Sequence, residues 1–238
     1  MTGTTPRGVT GEQAASRWVR DMFGRVAGRY DLLNHLLSFN LDKRWRTRAV
    51  KRVAPVLARP GAVVLDLACG TGDVALELAR VAGAPVLASD FCHPMLIEAQ
   101  RKRAGTLFES DALALPLRDE SLDLITIAFG FRNLVHYQHG LEEMLRVLKP
   151  GGVAAILEFS KPTNPVFGAL YGFFSTRVLP WVGGLVSGSH DAYSYLPESI
   201  QKFPGAEELA AAMRTAGFER VEFERMTGGA VALHLAWK

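Results

Sequence analysis

The chain has 238 residues, 48% hydrophobic and 21% charged, with 27 Lys and Arg against 24 Asp and Glu for a net charge of +3. That length and balance describe one globular domain able to bury a full core, and exclude collagen-like, low-complexity and disordered classes. Two cysteines without a CxxC pairing, Cys69 and Cys92, exclude a secreted disulfide scaffold and point to a reducing cytoplasm. The polar opening MTGTTPRGVTGEQ has no apolar core and does not read as a secretory signal, and the small basic excess does not demand nucleic acid.

Residues 1 to about 13 read as a disordered lead. From there Trp18, Met22, Val26, Tyr30, Leu33 and Leu37 recur every three or four positions, which predicts one face of an amphipathic helix or helix pair. Ser38-Phe39-Asn40 breaks the pattern; Asp42 then reads as the N-cap of a helix with Val50, Val53 and Leu57 as its buried stripe, ended by Pro60-Gly61. The rhythm changes to short apolar runs alternating with helical ones. Strands are expected at 63–67, 86–89, 106–109, 122–129 and 153–159, and helices at 74–82, 95–103 and 137–148. A helix at 206–216 is followed by strands at 221–226 and 231–237 flanking Thr227-Gly228-Gly229, a hairpin signal. The whole predicts an α/β doubly wound parallel sheet with a C-terminal antiparallel hairpin. Within a single domain 1–238, residues 1–60 form a helical cap and 61–238 the core, with an apolar insert at 161–203.

Between Pro165 and Ser189 the only charge is Arg177. A spanning helix needs about 20 uninterrupted apolar residues. Arg177, Pro180 and Gly183-Gly184 break this run, so it is not expected to span. Phe173, Phe174 and Trp181 are expected to line the entrance for an apolar tail or to dip into a bilayer interface.

The first turn after a buried strand reads Asp66-Leu67-Ala68-Cys69-Gly70-Thr71-Gly72-Asp73. Glycines there let backbone approach a ligand at the carboxyl edge of the sheet. Gly70-Thr71-Gly72 with Ala75 also satisfies the loose dinucleotide pattern, and Asp90, twenty residues past Gly70, is placed to take ribose hydroxyls. Asp66 and Asp73 would oppose a pyrophosphate at that helix N-terminus and suit a cationic ligand instead. S-adenosylmethionine, which carries a sulfonium and an ammonium, fits that demand, and Asp111-Ala112, just after the third strand, stand where a class I methyltransferase places its adenine contacts. A tight strand-to-helix turn without a ligand is the alternative reading of the glycines. No His, Cys, Asp or Glu cluster has metal-ligand spacing.

Several longer stretches resemble one family in order. Tyr30-Asp31-Leu32-Leu33-Asn34-His35-Leu36-Leu37-Ser38, followed after six residues by Trp45-Arg46, resembles the N-terminal signature of the ubiquinone/menaquinone biosynthesis C-methyltransferase family. Leu65 to Asp73 resembles its cofactor motif, and Phe129-Gly130-Phe131-Arg132-Asn133 its fourth-strand motif. Arg146 to Gly152 running into Leu157-Glu158-Phe159-Ser160 resembles its second signature, and Tyr193 to Ile200 with Phe203-Pro204 its late motif. The resemblance covers residues 18 to 238. It implies a class I Rossmann-like fold and methyl transfer from S-adenosylmethionine to a ring carbon of a prenylated quinol, demethylmenaquinol or the analogous ubiquinone precursor. It also implies peripheral contact with a membrane.

The chemistry is in-line displacement at a sulfonium carbon, favoured by positioning and a water-poor site. A ring carbon becomes nucleophilic when the adjacent hydroxyl ionises; moving a phenol-like pKa of about 10 to 7 takes roughly 4 kcal/mol of anion stabilisation. Arg132 is the candidate for that electrostatic work, with Asn133 as its hydrogen-bonding neighbour and Tyr30, Phe173 and Tyr193 as further substrate contacts. A salt-bridge arginine is the alternative reading of Arg132.

The sequence departs from the family at Asn40 (usually glycine), Asp42 (usually histidine), Phe131 (usually Leu or Ile) and Ala128 (commonly serine, near the cofactor). The change at 42 removes the basis for a catalytic base there. His190-Asp191 is a weaker base candidate, while His234 alternates within the last strand and reads as structural. Lys43, Arg44, Arg46, Arg48, Lys51 and Arg52 form either a solvated helix face or an attraction for anionic lipid or substrate. Rival functions are methylation of another small apolar molecule and non-catalytic binding of S-adenosylmethionine. An RNA-binding role would need basic residues interleaved with aromatics, a pattern the apolar insert lacks.

Overall fold

Among the described residues, the alternation of short apolar runs and helical stretches folds into a single seven-stranded sheet, in order β3-β2-β1-β4-β5-β7-β6. The strands are β1 (Val64–Leu67), β2 (Leu87–Asp90), β3 (Thr106–Glu109), β4 (Leu122–Ala128), β5 (Leu148–Phe159), β6 (Arg220–Met226) and β7 (Val231–Trp237). The structure, a computed structural model, describes residues 3–173 and 190–238, without the side chains of residues 33, 166, 170, 171, 173 and 190–194. The expectations for Phe173, Phe174, Trp181, Tyr193 and the His190-Asp191 pair fall on side chains outside this description.

β1 to β5 run parallel, and β7 lies antiparallel between β5 and β6. The α/β sheet with a C-terminal antiparallel hairpin is therefore as expected. Neighbouring residues of the central strands face opposite sides, as the two-residue period of a strand requires. Leu65, Leu67, Ile125, Ile127, Ala154 and Ile156 pack with Leu141, Met144, Leu209 and Met213, from helices α6 (Tyr137–Val147) and α9 (Ala206–Ala216). Val64, Leu124, Val153, Ala155 and Leu157 pack on the other side. Their partners include Trp45, Val50 and Val53 of α3 (Leu41–Leu57) and Val74 and Leu78 of α4 (Asp73–Ala82). Helix α5 (His93–Arg101) follows β2, with α7 (Pro165–Phe173) and α8 (His190–Lys202) in the later part of the chain.

The N-terminal expectation splits. α1 (Glu12–Val26), a 3-10 turn (Ala27–Arg29) and α2 (Tyr30–Leu37) form the helical pair. The lead before them is docked rather than free. Gly3 and Thr4 donate backbone hydrogen bonds to the carbonyls of Val135 and Leu134 at 3.1 and 2.8 Å, and Thr4 is buried. Its hydroxyl lies 2.8 Å from that of Tyr195. Backbone pairing of this kind leaves no trace in composition.

Two local expectations need correction. Asn40, not Asp42, holds the N-cap of α3 with φ 60°, a left-handed conformation that Asn tolerates better than most residues. β5 begins at Leu148 rather than Val153, its pairing with β4 interrupted between Leu148 and Val153. Gly72, also at positive φ (84°), sits where an added Cβ would lie 2.2 Å from the Cβ of Ala104 and 3.2 Å from that of Ala99. This glycine serves close packing of the turn against the α5 region. Gly72→Ala is expected to cost about 2–4 kcal/mol from overpacking and left-handed strain, read as a lower urea midpoint with unchanged slope.

Candidate active site

In an open parallel sheet, ligands bind beyond the carboxyl ends of the strands where the order reverses, here between β1 and β4. Two cavities open at that edge, of about 730 and 1590 Å³. They share five lining residues: Tyr30, Ala68, Gly70, Ala128 and Phe129. Ala68 and Phe129 hold φ of 50° and 57°, left-handed values that cost energy in residues with a Cβ. A Cβ on Gly130 would lie 2.7 Å from that of Ala68, so the turns after β1 and β4 pack directly on each other.

The smaller cavity gathers Gly70, Asp90, Asp111, Ala112, Ala128, Asn133 and Tyr30 from the expected set, and adds Phe91, Met95, Ser110 and Leu113. Asp90 accepts hydrogen bonds from the backbone N–H of Gly70 (2.8 Å) and Cys92 (2.9 Å), which fix its carboxylate at the strand end. Burial pushes Asp90 up to about 6 against those hydrogen bonds. Among the described residues, the lining includes two carboxylates and no Lys, Arg or His. Such a wall suits hydroxyls, a cation and a flat apolar ring, and opposes a pyrophosphate. Asn133 turns its Oδ1 to the Tyr195 hydroxyl, which donates at 3.0 Å, so its hydrogen bonding ties α8 to this wall rather than serving Arg132.

Asp66 and Gly72 line neither cavity. Asp66 is buried at the end of β1, where Oδ1 accepts from the Thr126 hydroxyl at 2.8 Å and Oδ2 has no partner among the described residues. Burial raises it to about 7. Asp73 does not offer the free negative charge expected of it. Lys102 donates to its Oδ1 at 2.7 Å and Arg46 approaches Oδ2 at 3.3 Å. The Thr71 hydroxyl, expected at the cofactor, donates to Asp31 Oδ1 at 2.5 Å; Thr71 lines the larger cavity instead.

The larger cavity is an apolar chamber walled by Trp45, Phe129, Phe159, Phe167, Leu196 and Ile200. Trp45, Phe129 and Phe159 cluster at tilted and edge-on angles with centroids 5.0–6.4 Å apart. Arg132 enters it as half of a buried ion pair. Its Nη1 donates to Glu158 Oε1 at 2.9 Å and to the Phe129 carbonyl at 2.5 Å, and its guanidinium lies 5.2 Å from the Phe159 ring centre. Burial works against the charge, but Glu158 holds Arg132 firmly protonated, while its Nε is without a partner among the described residues. The structure bears out the salt-bridge reading of Arg132, and the residue also lines the chamber. Asp42, also in the lining, is held below the usual carboxylate range despite burial by the Ser38 hydroxyl, Arg46 and His35, with Ser38 donating at 2.6 Å and His35 Nδ1 at 2.8 Å. Arg46 therefore belongs to the site, Arg48 donates to Glu224 at 2.9 Å, and Lys43, Arg44 and Lys51 are exposed. Among the histidines, His234 is buried beside the Ala206 carbonyl at 2.8 Å and burial lowers it to about 4, a structural role as expected. His136 caps α6.

The chamber aromatics at the ends of β4 and β5 carried a signal in their position, just past a buried strand. Trp45 and Leu196 carried none in their spacing, because helical periodicity does not separate a residue facing a cavity from one facing the core; only the family resemblance marked their motifs. The raised carboxylates give a pH expectation. A folded-state value above the unfolded one means a penalty that is absent below about pH 4 and grows as pH rises toward 7. Asp66→Asn should therefore melt above the wild type at pH 8 in the ligand-free protein, with the gap closing by pH 4; thermal scans at both pH values check it.

Comparison with known proteins agrees with this geometry. The model of the ubiE/COQ5 methyltransferase family matches residues 10–238. A demethylmenaquinone methyltransferase of Thermus thermophilus is 49% identical over 220 residues, covering 90% of this chain and 98% of the relative. One from Deinococcus radiodurans is 44% identical, covering 96% of each. A ubiquinone/menaquinone biosynthesis C-methyltransferase of Geobacter sulfurreducens is 44% identical, covering 92% of this chain and 88% of the relative. Among solved structures, a SAM-dependent methyltransferase of Thermotoga maritima superposes with a TM-score of 0.66 at 21% identity, covering 92% of this chain and 98% of that one. The [4+2]-cyclase SpnF superposes at 0.65 with 18% identity, covering 100% and 99%. Those structures establish the class I methyltransferase fold; the family match and the relatives go further, and the chain belongs to the ubiE/COQ5 methyltransferase family.

Proposed function

We propose that this chain methylates a ring carbon of a prenylated quinol with S-adenosylmethionine as donor, converting demethylmenaquinol to menaquinol. The observation that carries the reading is the shared wall: a carboxylate-lined cavity and a larger apolar chamber meet at Tyr30, Ala68, Gly70, Ala128 and Phe129. Residues 1–60 act as the cap of one methyltransferase domain. Asp90 takes the ribose hydroxyls, Asp111 and Ala112 the adenine edge, and Tyr30 and Phe129 bound the crossing. Bound there, S-adenosylmethionine supplies an electrophilic methyl group. The protein's own share is to exclude water, hold the ring at the wall and ease loss of the quinol proton. Arg132 does the last by aiming guanidinium N–H groups at the oxygen that becomes negative. Its charge is balanced by Glu158, so the help is directional hydrogen bonding rather than a net positive field. Neutral quinol gains less from it than quinolate, which places the benefit in the chemical step.

Delivery of a polyprenyl substrate is a membrane problem, since each buried methylene contributes about 0.8 kcal/mol. No helix among the described residues is long and apolar enough to cross a bilayer. The surface that meets lipid in this proposal is on α2: Leu32 and Leu36, one turn apart, are 62% and 47% exposed, and Phe39 just beyond is 74% exposed and lines the chamber. The exposed cations Lys43 and Arg44 follow within one turn, matching anionic headgroups. The enzyme works as a peripheral protein on the cytoplasmic leaflet.

The assay is transfer of labelled methyl from S-adenosylmethionine to short-chain demethylmenaquinol, with the benzoquinol precursor as the second arm; labelling of neither quinol would end the proposal. Arg132→Ala would strand Glu158 in a buried site, so Arg132→Lys is the cleaner variant. It should lower kcat by about 10²-fold with little change in the quinol KM, and recover in part at higher pH as bulk base supplies quinolate. A raised KM with normal kcat would reduce Arg132 to substrate positioning.

Leu32→Ser with Leu36→Ser should reduce flotation with phosphatidylglycerol-containing vesicles at least about tenfold, given roughly 1.5–3 kcal/mol per buried leucine. Turnover of a short, water-soluble quinol should persist. Equal flotation of the variant and the wild type would move the lipid contact elsewhere.

A further inference from the structure

The residue common to both cavities that does not come from the sheet edge is Tyr30, and it stands at the first position of α2. Its Cε1 lies 3.7 Å from where a Cβ on Gly70 would be, so the ring rests on the glycine turn. The helix that carries it is weakly secured by ordinary means. α2 has eight residues, begins without a side-chain cap and leaves Leu32 and Leu36 exposed; a helix this short does not persist on propensity alone.

Beyond the packing of Tyr30 on Phe23 and on the cluster of Ala27, Cys92 and Met95, what ties it to the glycine turn is charge. Asp31, the next residue after Tyr30, accepts from the Thr71 hydroxyl at 2.5 Å through Oδ1 and pairs with Lys102 through Oδ2. Lys102 Nζ also reaches Thr71 Oγ1 at 3.1 Å and Asp73 Oδ1 at 2.7 Å. One ammonium therefore gathers the cap (Asp31), the glycine turn (Thr71) and the start of α4 (Asp73). Arg46 of α3 continues the alternation from Asp73 to Asp42, which His35 of α2 also meets. Asp31 and Asp73 raise Lys102 even though partial burial opposes its charge. Asp31 and Lys102 are absent from both cavity linings, so neither touches a ligand held there.

We infer that Asp31 and Lys102 are positioning residues: they clasp α2 to the glycine turn and so set the Tyr30 ring at the crossing between the donor cavity and the acceptor chamber. This rests on the methyltransferase reading of those cavities. The clasp groups are a quarter to a third exposed, with side-chain exposures of 29%, 32% and 25% for Lys102, Asp31 and Asp73. Pairs of that exposure are weak singly and screened by salt. They suit a local opening of the cap that admits ligands while the sheet stays folded.

The test uses Lys102→Met, Lys102→Arg and Asp31→Asn in the full chain, read by amide hydrogen exchange without ligand and by steady-state kinetics. Lys102→Met and Asp31→Asn should speed exchange across residues 30–37 about tenfold while β1 and β4 keep wild-type protection, and should lower kcat about tenfold. Lys102→Arg should restore most of both. Added sodium chloride should loosen the same segment in the wild type and leave Lys102→Met unchanged. Wild-type exchange at residues 30–37 in Lys102→Met would overturn the clasp, and faster exchange with an unaltered kcat would overturn the positioning role. A wild type inert toward every quinol, with exchange behaving as expected, would sink the acceptor assignment and support the clasp, because exchange needs no substrate.

Discussion

Methyl transfer by in-line displacement needs the donor methyl and the acceptor carbon in direct contact with no water between them, so two ligand cavities must meet at a common wall. In this chain the rim of that meeting is backbone: the turns after β1 and β4, with Ala68 and Phe129 in left-handed conformations and Gly130 allowing the two turns to touch. The parallel sheet makes the arrangement available, since β1 and β4 are neighbours with their carboxyl ends together at the point where strand order reverses. The strict alternation of core residues on the two sheet faces keeps those ends rigid. The strain at Ala68 and Phe129 is sustained by the close-packed layers beneath them.

The two sides of the wall differ in charge, and that difference sorts the ligands. Among the described residues the smaller cavity is lined by Asp90 and Asp111 without a cation, while the larger is mostly aromatic and aliphatic and carries its charges as pairs, Arg132 with Glu158 behind it and Arg46 with Asp42 and Asp73. A lone guanidinium would attract any anion into the chamber; paired, it selects by geometry. The superposition on a [4+2]-cyclase shows that the fold alone leaves the chemistry open, so the linings carry the specificity.

The N-terminal helices are part of the site as much as the sheet is. α2 contributes Tyr30 and Leu37 inward and the exposed Leu32 and Leu36 outward, so one short helix faces the reaction on one side and the proposed lipid surface on the other. It is attached through the partly exposed charges of Asp31 and Lys102 together with the packing of Tyr30 on Phe23 and against Met95.

The amino-acid sequence by itself determined the sheet, its hairpin and the Gly70 turn, because these depend on local periodicity and on residues with special backbone freedom. It also marked Asp90, Asp111 and Arg132, which lie at or beyond the carboxyl ends of β2, β3 and β4, Arg132 through its family motif. Other assignments required the tertiary structure. Thr71 and Asp73 sit in a motif that reads as ligand-facing, yet their polar atoms are taken by Asp31, Lys102 and Arg46 from segments 27 to 40 residues away. The N-terminal lead reads as disordered, yet it is held by the carbonyls of Leu134 and Val135. Hydrogen bonds and ion pairs between distant segments have no period and no composition, so only the folded chain decides which polar groups remain free for a ligand.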